Sequence, residues 1–185
     1  MIGAILTQNT AWVNVERAIG NLKRAGPLSP QAIVNIPQAD LAELLRPSGY
    51  FNVKAQRLLN FCGWMLEQGG KRVLRRWTTE TLRDRLLAIK GIGPETADDI
   101  LLYAFDRPVF VIDAYTRRVF SRLGLVDAKA RYDQLSQTFA RALGDDARIF
   151  NQYHALIVRH AKQVCRTKPR CSTCVLNPVC PLSGS

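Results

Sequence analysis

Apolar residues recur at three- and four-residue spacings along almost the whole chain, and that period belongs to the α-helix. Trp12, Val15, Ile19 and Leu22 form one such stripe, and Leu41, Leu44 and Leu45 form another behind Pro37. Ala55, Leu58, Leu59, Cys62, Met65 and Leu66 mark a third, closed by Gly69-Gly70. The pattern continues through Leu82, Leu86 and Leu87, then through Ala97, Ile100, Leu101 and Ala104 behind Pro94. Val119, Phe120 and Leu123 stop at Gly124, and Tyr132, Leu135, Phe139 and Leu143 stop at Gly144. Phe150, Tyr153, Leu156, Ile157 and Val164 form the last stripe. Proline at a helix start and glycine just past its end are the usual punctuation. The one run with strand character, Val109-Phe110-Val111-Ile112, is too short for a sheet. The expectation is an all-α chain of about eight or nine short helices.

Composition narrows the partners. Hydrophobic residues make up 47% of the 185, which excludes general disorder. No apolar run approaches the roughly 18 residues of a membrane span, so no membrane attachment is expected. Met1 to Leu6 lacks the basic flank of a signal peptide. The net charge of +11 points to a polyanion, nucleic acid ahead of a membrane surface. The excess is concentrated. Residues 54–90 hold Lys54, Arg57, Lys71, Arg72, Arg75, Arg76, Arg83, Arg85 and Lys90; residues 159–170 hold Arg159, Lys162, Arg166, Lys168 and Arg170 with no acid. Two such stretches can form one phosphate-tracking face, although either can also be an ordinary solvated helix surface.

Three local patterns carry chemistry. In Lys90-Gly91-Ile92-Gly93-Pro94-Glu95-Thr96-Ala97 a helix ends, a glycine turn follows and a new helix begins. Gly91 and Gly93 let backbone approach a ligand, and the free N–H groups at the new helix start favour an anion such as a DNA phosphate, with Lys90 as an added cation. A plain helix–turn–helix corner has the same pattern. Asp113 follows the extended run and precedes a helix, where a carboxylate caps the free amides. Cys165, Cys171, Cys174 and Cys180 are separated by five, two and five residues. Four thiolates so close can surround one metal centre, and spacing alone leaves zinc and an iron–sulfur cluster both open. Cys62 lies on an apolar helix face and reads as core. His154 and His160 are six apart on the last helix, which disfavours a shared metal; packing or a backbone hydrogen bond is expected for them.

Taken in order, these motifs resemble the helix-hairpin-helix DNA glycosylases of the endonuclease III superfamily. The hairpin, the Val109-to-Asp113 run, Leu6-Thr7-Gln8-Asn9-Thr10, Gly49-Tyr50-Phe51-Asn52-Val53-Lys54-Ala55 and the cysteine cluster all have counterparts there, so the likeness spans nearly the whole chain. It implies a two-lobe helical fold. Residues 1–108 would form a helical lobe with the hairpin at about 81–105, residues 109–185 a second lobe with the cysteine loop at 165–180, and DNA would lie in the cleft between them. The chain would begin inside the family's second helix, without the first.

The resemblance also implies roles. Asp113 would be the catalytic carboxylate, Gln8 would enter the duplex, and Tyr50 and Phe51 would wedge the base stack. Lys90, Gly91, Gly93 and Thr96 would grip the backbone. Bifunctional members carry a lysine nucleophile two residues after the second hairpin glycine; here that position is Glu95, which cannot form a Schiff base. A monofunctional enzyme without AP-lyase activity follows, most similar to the 3-methyladenine branch, with Trp12 and Glu95 at the base pocket. Endonuclease III-type action on oxidised pyrimidines or mismatches, and a non-catalytic DNA-binding relative, are the alternatives. The cysteines would hold a [4Fe–4S] cluster with a structural and DNA-docking role, although their first loop is one residue shorter than the family's. The expected protein is a monomer acting on double-stranded DNA with a damaged base, in the nucleoid of a prokaryotic cytoplasm.

Overall fold

The computed structural model of the chain describes residues 1–184, which fold into helices without a strand. They are α1 (Ile2–Leu6), α2 (Trp12–Ala25), α3 (Pro30–Val34), α4 (Gln38–Leu45), α5 (Phe51–Glu67), α6 (Lys71–Leu74), α7 (Thr79–Leu87), α8 (Pro94–Phe105), α9 (Ala114–Arg122), α10 (Tyr132–Leu143) and α11 (Ala147–Gln163). Single 3-10 turns follow α4 at Arg46–Ser48 and punctuate the cysteine loop. The all-α expectation holds, but the number of helices was underestimated. The ones without a visible period are α1, which only the resemblance implied, α3 and α6, with five, five and four residues. One turn of helix is too short to display a period. None of the described helices is long and apolar enough to cross a membrane.

The chain divides into two compact units, Met1–Ile100 and Leu101–Ser185, against the 108/109 boundary expected from the sequence. In the first unit, α3 and α4 pack on α5, and Leu41, Leu45, Ala55 and Leu58 are fully buried. Lys54 lies among them, only 1% exposed. Its Nζ donates to Leu6 O at 2.9 Å and Ser48 O at 2.6 Å, the carbonyls at the end of α1 and of the 3-10 turn. Helix ends leave such carbonyls without partners, and a buried ammonium answers them. Burial, helped by the nearby Arg57 charge, lowers the Lys54 pKa to about 8.

The second unit is built around phenylalanines. Phe110 stacks on Phe139 at 4.6 Å and meets Phe150 edge-on at 5.3 Å, while Phe120 meets Phe139 edge-on at 4.6 Å. The extended run that holds Phe110 has no strand partner among the described residues. Its polar groups turn instead to α10: Ser136 Oγ donates to Phe110 O at 2.7 Å, and the Ile112 amide faces Tyr132 Oη at 3.4 Å.

Replacing Lys54 by Met strands two buried carbonyls and is expected to destabilise the protein by about 2–4 kcal/mol in urea denaturation. The pH dependence has a definite sign. Folded Lys54 loses its proton near pH 8, whereas an unfolded lysine holds it to about 10.4. Between those values the unfolded chain binds more protons, so the charge-burial penalty is relieved as pH rises. The gap between wild type and Lys54→Met should therefore widen from pH 7.5 to about 10.

Candidate active site and nucleic-acid interface

The hairpin joins α7 to α8 within a scaffold of side-chain braces. Thr78 caps α7 by accepting the Thr81 amide at 3.2 Å. Arg83 on α7 grips Asp98 on α8 through two bonds, Nε to Oδ1 at 2.7 Å and Nη2 to Oδ2 at 3.2 Å. Asp98 is fully buried, so this fork fixes the mutual placement of the two helices in a low-dielectric setting. Gly91 has φ +99°, and a Cβ there would sit 2.4 Å from Cγ of Arg57. Gly93 differs: a Cβ on it would meet nothing within 4 Å, so its backbone faces open space. Lys90 is exposed, and its carbonyl is held by Asn60 Nδ2 at 3.2 Å.

Gln8, just beyond α1, is drawn into the same assembly. Its Nε2 donates to Gly91 O at 3.2 Å and Thr96 Oγ1 at 2.8 Å, and Arg57 Nη1 donates to its Oε1. The residue expected to enter a duplex is thus engaged at both ends of its amide. Thr96 is buried and serves as the other half of that contact. Glu95 stands exposed in the first turn of α8. Tyr50 is 70% exposed and holds φ +47°, a backbone state that an aromatic residue rarely adopts. Phe51 is half-buried beneath the Arg46 guanidinium, 4.9 Å from its ring centre. Trp12 is half-exposed rather than core, with Nε1 donating to Glu16 Oε1 at 2.9 Å and its ring edge against Gly3.

In the second unit, Asp113 is the N-cap of α9, and its Oδ1 accepts the Thr116 amide at 2.7 Å. Its Oδ2 lies 3.4 Å from Nε2 of His154 on α11. His154 Nδ1 meets Tyr103 Oη, from the end of α8, at 2.5 Å. Burial pushes the Asp113 carboxyl up, but the His154 imidazole and the Thr116 amide and hydroxyl outweigh it, so its pKa falls below the ordinary carboxylate range. His154 corrects an expectation: its partners are side chains, not backbone. Neither it nor Tyr103 carries a sequence signal, because His154 lies tens of positions along the chain from both Asp113 and Tyr103.

The four clustered cysteines all line one concavity together with Arg122 and Pro169. Arg122 Nη1 donates to Cys165 Sγ at 3.4 Å and to Arg166 O at 2.6 Å, and its Nη2 ties the loop further through Thr167 O at 3.0 Å. His160 Nε2 lies 3.8 Å from Cys174 Sγ. Among the described residues, no three His, Cys, Asp or Glu side chains are gathered closely enough to hold a metal ion. Cys62 is buried, as expected, and burial pushes its thiol up to about 12.

Comparison with known proteins gives consistent matches. A family profile described as HhH-GPD superfamily base excision DNA repair protein covers residues 2–144. A protein of Methanocaldococcus jannaschii, provisionally named a DNA repair glycosylase, is 48% identical over 183 residues, spanning 97% of this chain and 83% of that one. The structure of H. pylori 3-methyladenine DNA glycosylase bound to 1,N6-ethenoadenine superposes with a TM-score of 0.73 at 32% identity, covering 88% of this chain and 83% of that one. A non-covalent endonuclease III–DNA complex shares the fold, with a TM-score of 0.84 at 20% identity over 99% of this chain and 82% of that one.

The two hairpin glycines should separate in a stability measurement. Gly91→Ala meets both a positive φ and the Arg57 stem and is expected to lose about 1–3 kcal/mol. Gly93→Ala enters open space and should stay within about 0.5 kcal/mol of wild type in the same thermal melts.

Proposed function

Since the chain belongs to the HhH-GPD superfamily of base excision DNA repair proteins, we propose that it is a monofunctional DNA glycosylase. It hydrolyses the N-glycosidic bond of a damaged base turned out of the duplex, with water as nucleophile and an alkylated purine such as 3-methyladenine as substrate. The observation that carries this reading is the Asp113 carboxylate, mostly buried yet held as an anion by the α9 amide and the His154 imidazole. Breaking the glycosidic bond leaves positive charge on the sugar, and a fixed anion stabilises that charge without reorganising. Water then adds to the sugar carbon and gives up a proton, which Asp113 or solvent accepts.

Glu95 supports the choice of water. A carboxylate stands where bifunctional relatives carry the Schiff-base amine. An alkylated purine bears positive charge and leaves as a neutral base, so it needs no strong general acid. The half-exposed Trp12 ring offers such a cation a π-face, with Glu95 as a further pocket residue. Lys90 and the backbone of Gly91 and Gly93 hold a phosphate, with Thr96 and Gln8 bracing the turn. The strained, exposed Tyr50 and its neighbour Phe51 supply the wedge that opens the stack.

Cys165, Cys171, Cys174 and Cys180 would hold a [4Fe–4S] cluster: all four line one concavity with the Arg122 guanidinium beside one of them, and binding would draw their sulfurs together. When bound, the cluster supplies a rigid cross-link for the loop that carries Lys168 and Arg170, and it takes no part in base release. A brown protein that bleaches and loses helix stability on chelation is the expected signature; a colourless protein with stoichiometric zinc would overturn it.

A panel of duplexes carrying 3-methyladenine, ethenoadenine, oxidised pyrimidines or mismatches tests the whole reading. Release of the alkylated purine, a loss of about 100-fold or more in Asp113→Asn with duplex affinity retained, and no borohydride-trapped adduct are expected. Preferential release of an oxidised pyrimidine would reassign the substrate. A strong covalent adduct would overturn the monofunctional mechanism.

A further inference from the structure

Asp113 has two oxygens, and the fold treats them differently. Oδ1 accepts the Thr116 amide at 2.7 Å, a short bond fixed by the capping geometry of α9. Oδ2 faces His154 Nε2 at 3.4 Å, in contact but outside good hydrogen-bond geometry. His154 Nε2 and Thr116 Oγ1 are both buried, and neither reaches good hydrogen-bond geometry, yet both residues act on Asp113 and lower its pKa. Buried polar atoms are nearly always paired in good geometry, so two donors that reach one carboxylate only loosely mark a site whose bonding is incomplete at rest.

The other face of the imidazole is occupied. Tyr103 Oη stands 2.5 Å from Nδ1, and the two rings lie 6.0 Å apart. A neutral imidazole carries one N–H. The anionic Oδ2 can only accept, so the hydrogen belongs on Nε2; Nδ1 is then the acceptor and Tyr103 the donor. The order Tyr103 to His154 to Asp113 is a chain of donors ending on the carboxylate. It draws on the end of α8, on α11 and on the cap of α9, and Tyr103, His154 and Asp113 all lie in the second unit.

We infer that His154, with its tautomer set by Tyr103, is the positioning residue for Asp113: its Nε2–H closes on Oδ2 when DNA is bound and fixes the carboxylate as an oriented anion. The inference rests on the proposed catalytic role of Asp113. Hydrogen bonds in catalytic groups are often long before substrate arrives and tighten in the complex. With both oxygens held by donors, Asp113 acts chiefly as an electrostatic stabiliser of the sugar cation. The groups facing this carboxylate are His154 from α11, Thr116 from α9 and, through the imidazole, Tyr103 from α8; Tyr132 from α10 reaches the neighbouring Ile112 amide.

The test uses the full chain and three variants. His154→Phe keeps the ring and removes the donor, His154→Gln restores a donor, and Tyr103→Phe releases the tautomer. Single-turnover base release should fall about 10- to 100-fold in His154→Phe, with duplex affinity within about twofold of wild type. The acid limb of its pH profile should move upward, because the burial that raises the Asp113 pKa would lose its main opponent. His154→Gln should recover part of the rate, and Tyr103→Phe should lose about three- to tenfold. Carbon-13 NMR titration of the Asp113 carboxyl, assigned with Asp113→Asn, gives a readout independent of catalysis and should show the same upward move in His154→Phe. A His154→Phe protein with an unchanged rate, pH profile and carboxyl titration overturns the inference. If wild type and Asp113→Asn alike release no base, the functional reading fails alone. The carboxyl titration still decides the contact: a raised Asp113 value upholds it and an unmoved one removes it.

Discussion

Phe110 and Val111 are completely buried, yet the backbone that carries them belongs to no helix and, among the described residues, has no strand beside it. Buried amides and carbonyls must find partners, so this segment is tenable only where other side chains supply them. Ser136 on α10 takes the Phe110 carbonyl, and Tyr132, one turn earlier on the same helix, stands at the Ile112 amide. The rings of Phe139 and Phe150 close over Phe110 from α10 and α11. With the segment pinned both by hydrogen bonds and by aromatic packing, Asp113 has little freedom left. It must cap α9, and capping leaves its second oxygen facing α11.

The hairpin is held by the same logic with different parts. A glycine turn alone would be loose, since glycine loses more backbone entropy on ordering than any other residue. Here the turn is clasped by the Gln8 amide, the Arg57 stem and Asn60, while the Arg83–Asp98 fork fixes the helices that enter and leave it. The exposed backbone at Gly93 is therefore offered from a rigid mount. Pre-organisation of this kind lowers the ordering entropy that a phosphate contact would otherwise oppose.

How far the sequence reading reached depends on the range of the physics involved. Helices of eight residues or more showed their period, and only the one-turn helices escaped it. The capping role of Asp113 was visible because a cap is a matter of three residues. The density of cysteines was visible for the same reason. Lys54 and Arg57 illustrate the opposite case. Both were counted with the exposed basic residues of 54–90, yet Lys54 is a buried donor to two helix ends and Arg57 a brace against Gly91. Trp12, expected to be core as readily as pocket, is half-exposed. His154 was expected to pack or to bond backbone; it is buried, and its partners are the Asp113 and Tyr103 side chains.

Local pattern by itself determined the all-α class, the glycine turn, the capping carboxylate and the concentration of thiols, because each follows from backbone preferences and chemistry within a few residues. The order of those motifs was enough to indicate a helix-hairpin-helix glycosylase, and the comparisons bear out the family. Only the tertiary structure decided which charges are buried, which amides hold the hairpin, and that an imidazole stands opposite Asp113. Those outcomes depend on residues such as Gln8 and Thr96, or Asp113 and His154, that are remote in sequence and meet only when packed helices bring them within a few ångströms. No local preference encodes such a meeting, because it is set by how entire apolar faces choose their neighbours.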